Sequence, residues 1–155
     1  MGNAPINHGL ITNSIHRALY ERLRGTGCSA LGPEVGISTI GDTVRNPDAL
    51  VTCTKLSGSD YLVPGAIIVF EVLSPNSAQL DKFIKVREYA AVPTILCYII
   101  IESTSIGLTV LWCAEANQAF TTKVLKAEDT PDLPEIQVSM PVVECYDAVT
   151  FLDAP

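Results

Sequence analysis

Apolar residues recur at helical spacing near the start of the chain, where Ile11, Ile15, Ala18 and Leu19 stand among polar positions from about His8 to Arg24. Gly25 and Gly27 stop that helix. Strand-like pieces follow around Gly36 to Ile40 and Ala49 to Cys53, parted by the turn formers Gly41-Asp42 and Asn46-Pro47. Lys55 to Tyr61 is polar, contains Gly58 and reads as a loop. The apolar run Ala66 to Leu73 is long enough for a central strand. Ser74, Pro75 and Asn76 break it, and Ser77 is the N-cap expected for a helix from about Ala78 to Ala91. Leu80, Phe83, Ile84 and Ala90 would supply its packing onto a sheet. Beyond Pro93 the pattern becomes strand, turn, strand: Ile95 to Ile101 and Leu108 to Cys113 flank the connector Ser103 to Gly107. Another strand near Phe120 to Leu125 follows turn residues around Asn117, and Pro131, Pro134 and Pro141 punctuate a loop-rich tail with a short helix near Val142 to Ala148. This order predicts an α/β fold, one mixed sheet with helices packed on it.

Length and composition sharpen that picture. The 155 residues suit a single domain, 1–155, with a core of its own, and 48% hydrophobic against 17% charged residues excludes a disordered chain. No apolar run approaches the roughly 20 residues of a membrane helix. The longest, Pro93 to Ile101, reads as a buried strand. Met1 to His8 has neither a basic start nor an apolar stretch, so no secretion signal is read and a cytoplasmic protein is expected. The five cysteines (Cys28, Cys53, Cys97, Cys113 and Cys145) form no CxxC pair and are expected as reduced thiols, three of them (Cys53, Cys97, Cys113) buried in strands. With His8 and His16 the only histidines, a zinc site is disfavoured. The net charge of −7 leaves two loose basic groups, Arg17 to Arg24 and Lys82 to Arg87, so any nucleic-acid contact must be local and salt-sensitive.

Candidate chemistry lies between Asn46 and Tyr89. Asp48 opens a predicted strand, and Glu71 sits inside the apolar run, where strand alternation groups it with Ile67, Val69 and Leu73. A carboxylate there is costly to bury without a cation, a hydrogen bond or a proton. On the following helix Asp81, Lys85 and Tyr89 share a face at i, i+4 spacing. Two carboxylates on adjacent strands can hold a hard cation such as Mg²⁺, and a nearby ammonium can offset charge developing on a phosphate. Taken singly, Asp48 reads more simply as a turn residue, Lys85 as a solvated lysine paired with Asp81, and the histidines as surface or packing residues. Glu71 resists such a reading best.

The strings Asn46-Pro47-Asp48-Ala49-Leu50-Val51 and Val69-Phe70-Glu71-Val72-Leu73-Ser74-Pro75-Asn76-Ser77, then Asp81-Lys82 with Lys85 and Tyr89, resemble the Uma-type putative restriction endonuclease family of the PD-(D/E)XK nuclease superfamily. Val92-Pro93 through Tyr98-Ile99-Ile100 and the tail from Leu133-Pro134-Glu135 to Met140-Pro141 and Tyr146 fit the same pattern. The resemblance implies a restriction-endonuclease-like mixed β-sheet flanked by helices. It implies Asp48, Glu71 and Lys85 as catalytic residues, Asp48 and Glu71 as ligands of Mg²⁺ or Mn²⁺, and DNA as substrate. Three positions depart from the family pattern: Leu73 replaces the lysine two residues after the glutamate, Ile84 stands at an often acidic position, and the segment before His8 is short. Two functions are therefore expected to compete, a metal-dependent DNA endonuclease and an inactive relative kept as a binding or assembly module. In either case a small domain this apolar is expected to form a symmetric homodimer.

Overall fold

A computed structural model describes residues 3–77, 79–115 and 118–152. The helix start expected at Ala78 and the turn expected at Asn117 lie outside the described residues. The chain opens with α1 (Ile6–Leu23), which begins after Pro5 and buries Ile11, Ile15, Ala18, Leu19 and Leu23 along one stripe. It ends two residues before Gly25, whose φ of 77° is a conformation that favours glycine.

Eight strands and a second helix follow: β1 (Ser29–Leu31), β2 (Ile37–Ser38), β3 (Val44–Arg45), β4 (Ala49–Thr52), β5 (Ala66–Val72), α2 (Gln79–Ala90), β6 (Cys97–Ile101), β7 (Leu108–Trp112) and β8 (Thr121–Leu125). The tail carries β9 (Asp132–Leu133), β10 (Val138–Ser139) and a 3-10 helix at Val142–Tyr146. Six strands form one mixed sheet in the order β1-β4-β5-β6-β7-β8, while β2 pairs with β3 and β9 with β10 in small ribbons. The β5–β6 pair alone in that sheet is parallel, and α2 provides the crossover such a pair requires.

Alternation along the strands splits the core in two. Ala49, Val51, Ile68, Phe70, Val72, Ile99 and Ile101 pack with α1 and the C-terminal tail. Leu50, Val69, Tyr98, Ile100 and Leu111 pack with Tyr89 of α2. Between Val51↔Ile68 and Thr52↔Ala66 the register slips, leaving Ile67 as the extra residue of a bulge. Ile67 therefore packs with the α1-side cluster and not, as simple alternation predicts, beside Val69 and Glu71.

Two further expectations are corrected. Leu80, Phe83 and Ile84 do not pack onto the sheet; they are exposed, Phe83 by 72%. The buried side of α2 is instead built on Tyr89 and Val86, which pack with Leu50, Val69 and Tyr98, and on Glu88, which pairs with Arg45 of the β2–β3 ribbon. Nor is every cysteine a thiol: Cys28 and Cys53 form a disulfide. The register Ser29↔Thr52 carries one residue further to set these two cysteines opposite each other, with Cys53 exposed. The three-residue strand β1 was too short to foresee from periodicity, and with it the pairing. Cys97, Cys113 and Cys145 are free and buried, and burial pushes the Cys97 and Cys145 thiols up to about 12. Ser77 turns its hydroxyl back toward Ser74, accepting the Ser74 N–H at 3.1 Å. Among the described residues no helix is long and apolar enough to cross a membrane.

Candidate active site

At one end of the sheet, β4 and β5 bring two carboxylates together. Ala49 pairs with Phe70, so one further step of the antiparallel register sets Asp48 opposite Glu71, and residues opposite each other share a face. Past the end of β4, the Asp48 side chain continues the ladder: its Oδ2 accepts the Val72 N–H at 2.7 Å. Its Oδ1 lies 3.4 Å from His8 Nε2 at the start of α1. The Asp48 carbonyl accepts from His16 Nε2 at 2.8 Å, which requires the Nε2–H tautomer. Asp48 is thereby tied both to the sheet and to α1. Upstream, Asn46 donates to the carbonyls of Pro33 and Val35, fixing the approach to β4.

Glu71 is 8% exposed. Its Oε1 accepts the Tyr89 hydroxyl at 2.9 Å, and its Oε2 lies 3.4 Å from Lys85 Nζ. Lys85 in turn stands 3.3 Å from Asp81 Oδ2. Asp81, Lys85 and Tyr89 thus run along one face of α2 toward Glu71, and the Tyr89 ring rests against Tyr98 with centroids 4.9 Å apart. The helix is held in place by a two-pronged ion pair, Arg45 to Glu88 at 2.6 and 3.1 Å, which joins it to the segment leading into Asp48.

The charges tune one another. Burial holds the Glu71 carboxyl above its usual range and the Asp48 charge adds to this, although Lys85 and the Tyr89 hydrogen bond pull the other way. The hydrogen bond to Asp48 raises the His8 imidazole despite its partial burial. Burial alone would lower the Lys85 ammonium, but the charges of Glu71 and Asp81 outweigh it and leave it raised. His8 and the Arg45–Glu88 pair have no signal in local sequence pattern; long-range folding brings them in.

A family model described as "Putative restriction endonuclease", Uma2, matches residues 1–142. The chain belongs to the Uma2 family. An uncharacterized protein of Synechocystis sp. is 26% identical over 153 residues, covering 97% of this chain and 80% of the relative. The crystal structure of a putative nuclease of the DUF820 group from Anabaena variabilis matches with a TM-score of 0.74 at 14% identity, over 97% of this chain and 84% of that one. At that identity the likeness speaks for the fold, and the six-stranded mixed sheet with two helices is the fold it shares. Among the described residues of this Uma2 protein, no three His, Cys, Asp or Glu side chains gather closely enough to enclose a metal ion. A divalent ion here would rest on two carboxylates, with water completing its shell. That donor set fits Mg²⁺, which prefers oxygen and keeps several waters.

Proposed function

We propose that this Uma2 protein is a divalent-metal-dependent endonuclease that hydrolyses phosphodiester bonds in DNA. In this reading Asp48 and Glu71 hold Mg²⁺ or Mn²⁺ and Lys85 serves the reacting phosphate. The observation that carries it is the register-opposed carboxylate pair with Lys85 3.4 Å from Glu71. One oxygen of each carboxylate is firmly held, Asp48 Oδ2 by the Val72 N–H and Glu71 Oε1 by Tyr89. The other two have the looser partners, His8 and Lys85, each at 3.4 Å, and these are the contacts a cation would have to displace. Such an ion would polarise a phosphoryl oxygen and acidify a bound water. Lys85, released from Glu71, would place its ammonium where negative charge grows in the transition state. With a net charge of −7, DNA contact would fall to local groups such as Lys82, Lys85 and Arg87 on α2 and weaken as salt rises. The exposed row Leu80, Phe83 and Ile84 on the same helix would be covered by a second copy in a symmetric homodimer.

The test incubates plasmid and single-stranded DNA with purified protein and Mg²⁺, beside Asp48→Ala, Glu71→Ala and Lys85→Ala. Cleavage should stop on chelation and nearly vanish in both carboxylate variants. Lys85→Ala should still take up metal yet cut about 100-fold more slowly. Cleavage that persists equally in Glu71→Ala would be contamination and would remove the reading. One observation favours a non-catalytic module instead: all four carboxylate oxygens of Asp48 and Glu71 already have partners within the chain. No cleavage together with no metal uptake by calorimetry would decide for that module.

A further inference from the structure

The parallel strands β5 and β6 finish at the same end of the sheet, and beyond their carboxyl ends lies a mostly polar pocket of about 180 Å³. Crevices in that position are frequent ligand sites. Ser74 and Ser77 line this one from the β5–α2 turn, Glu102, Ser103 and Thr104 from the segment after β6, and Lys82 from α2. The Ser74 and Ser77 hydroxyls occupy each other at 3.0 Å. Ser103 differs. It is only 6% exposed, and its hydroxyl has no hydrogen-bond partner among the described residues. Its oxygen is not sealed within the protein, so a ligand in the pocket can reach it. A buried hydroxyl without a partner calls for one from outside the chain. Lys82 is half-buried and likewise has no ion pair among the described residues.

We infer that this pocket seats a phosphate of the bound DNA strand close to the one being cut, with Lys82 and the Ser103 hydroxyl donating to its oxygens. The inference rests on the endonuclease reading and adds where its substrate is held. Leu73 lines the pocket, extends β5 by donating its N–H to the Ile101 carbonyl at 2.9 Å, and packs with the cluster on the α2 side. It lies two residues beyond Glu71 on the same face, about 7 Å away along the strand. A DNA strand advances about 3.4 Å per phosphate, so the two points fall within about two nucleotides. Lys82 and Lys85 stand about 4.5 Å apart along the α2 axis, on one surface of the helix, and can serve separate phosphates. Ammonium and hydroxyl groups are common donors to phosphate oxygens. Glu102, the one carboxylate of the pocket, keeps the phosphate on the Lys82 side and weakens its hold.

Fluorescence anisotropy of a labelled duplex oligonucleotide, read in chelator so that nothing is cut, tests the site across a salt series. Lys82→Gln, checked for folding by circular dichroism, should weaken binding about tenfold and lower the salt slope by about one. Ser103→Ala should weaken it about threefold. Glu102→Gln removes the opposing charge and should tighten it, which keeps the test alive if Lys82→Gln fails to fold. Lys123→Gln takes the same charge from the edge strand β8 and should change little. The inference is overturned if the parent protein does not bind the duplex, or if Lys82→Gln leaves affinity and slope intact. It is overturned too if Lys123→Gln is as damaging as Lys82→Gln, or if Glu102→Gln weakens binding, as a zwitterionic ligand would require. Inorganic phosphate binding that needs Lys82 while duplex binding does not would make this a free-phosphate site and end the inference. Cleavage assays on the same proteins separate the two readings. Lys82-dependent binding without cleavage would remove the enzyme and keep the subsite, whereas cleavage with binding indifferent to Lys82 would remove the subsite alone.

Discussion

Water scarcely reaches Glu71, yet the side chain carries an acid whose neighbours disagree about its proton. Burial and Asp48 favour the protonated form, Lys85 and Tyr89 the charged one, and the net effect is a carboxyl raised above its unfolded value of 4.5. The folded chain therefore binds more protons than the unfolded chain just above that value. Stability should rise as pH falls from neutral into that window, and fall again as pH climbs through the folded pKa. Glu71→Gln should flatten this dependence and hold or raise stability at pH 7 by about 1 kcal/mol, since burying an amide avoids the ionic desolvation cost. Urea melts of both proteins at pH 5 and pH 7 measure it; an unchanged pH dependence in the variant would count against the burial argument. Tyr89→Phe should act oppositely, leaving Glu71 Oε1 buried without its donor at a cost of about 1–3 kcal/mol.

Among the elements, α2 shows best what its own sequence disclosed and what it withheld. The i, i+4 row Asp81, Lys85, Tyr89 could be read directly, and the row does converge on Glu71. The opposite face misled, because Leu80, Phe83 and Ile84 have the spacing of a packing stripe but face outward. Hydrophobic spacing says that a face wants cover; it does not say which neighbour supplies it. Long periodic segments such as α1, β5 and β6 were legible for the same local reason. The bulge at Ile67, the strand β1 and the approach of His8 to Asp48 depend on partners distant in sequence, and no local pattern carries them. The clamp on α2 is testable. Arg45→Ala strands Glu88, whose side chain is only 12% exposed, and should cost about 1–3 kcal/mol. Arg17→Ala breaks the open pair with Asp147, exposed 54% and 62%, and should cost about 0.5 kcal/mol or less. Chemical denaturation of the two variants side by side gives the comparison.

For the whole molecule, the exposed row on α2 and the acidic balance bear on assembly. Light scattering should give a dimer at micromolar concentration, and Phe83→Ser should shift it to monomer while leaving the thermal midpoint of the fold nearly unchanged. A clean monomer in the parent protein would end the dimer proposal. The Cys28–Cys53 bond closes a segment with a sequence separation of 25, and a reductant should lower stability by about 2–4 kcal/mol.

That bond also turns residues 28–53 into a ring, and the ring holds the β2–β3 ribbon, Arg45, Asn46 and Asp48. The ribbon's turn is open to solvent at Asp42. A protease that cuts before Asp42 would sever the backbone without parting the molecule. On a non-reducing gel the nicked protein would run as one band, and only thiol would release the N-terminal piece with α1 from the piece bearing Asp48 and Glu71. Backbone continuity and molecular integrity are separate properties in this stretch, and Asp48 depends on the second.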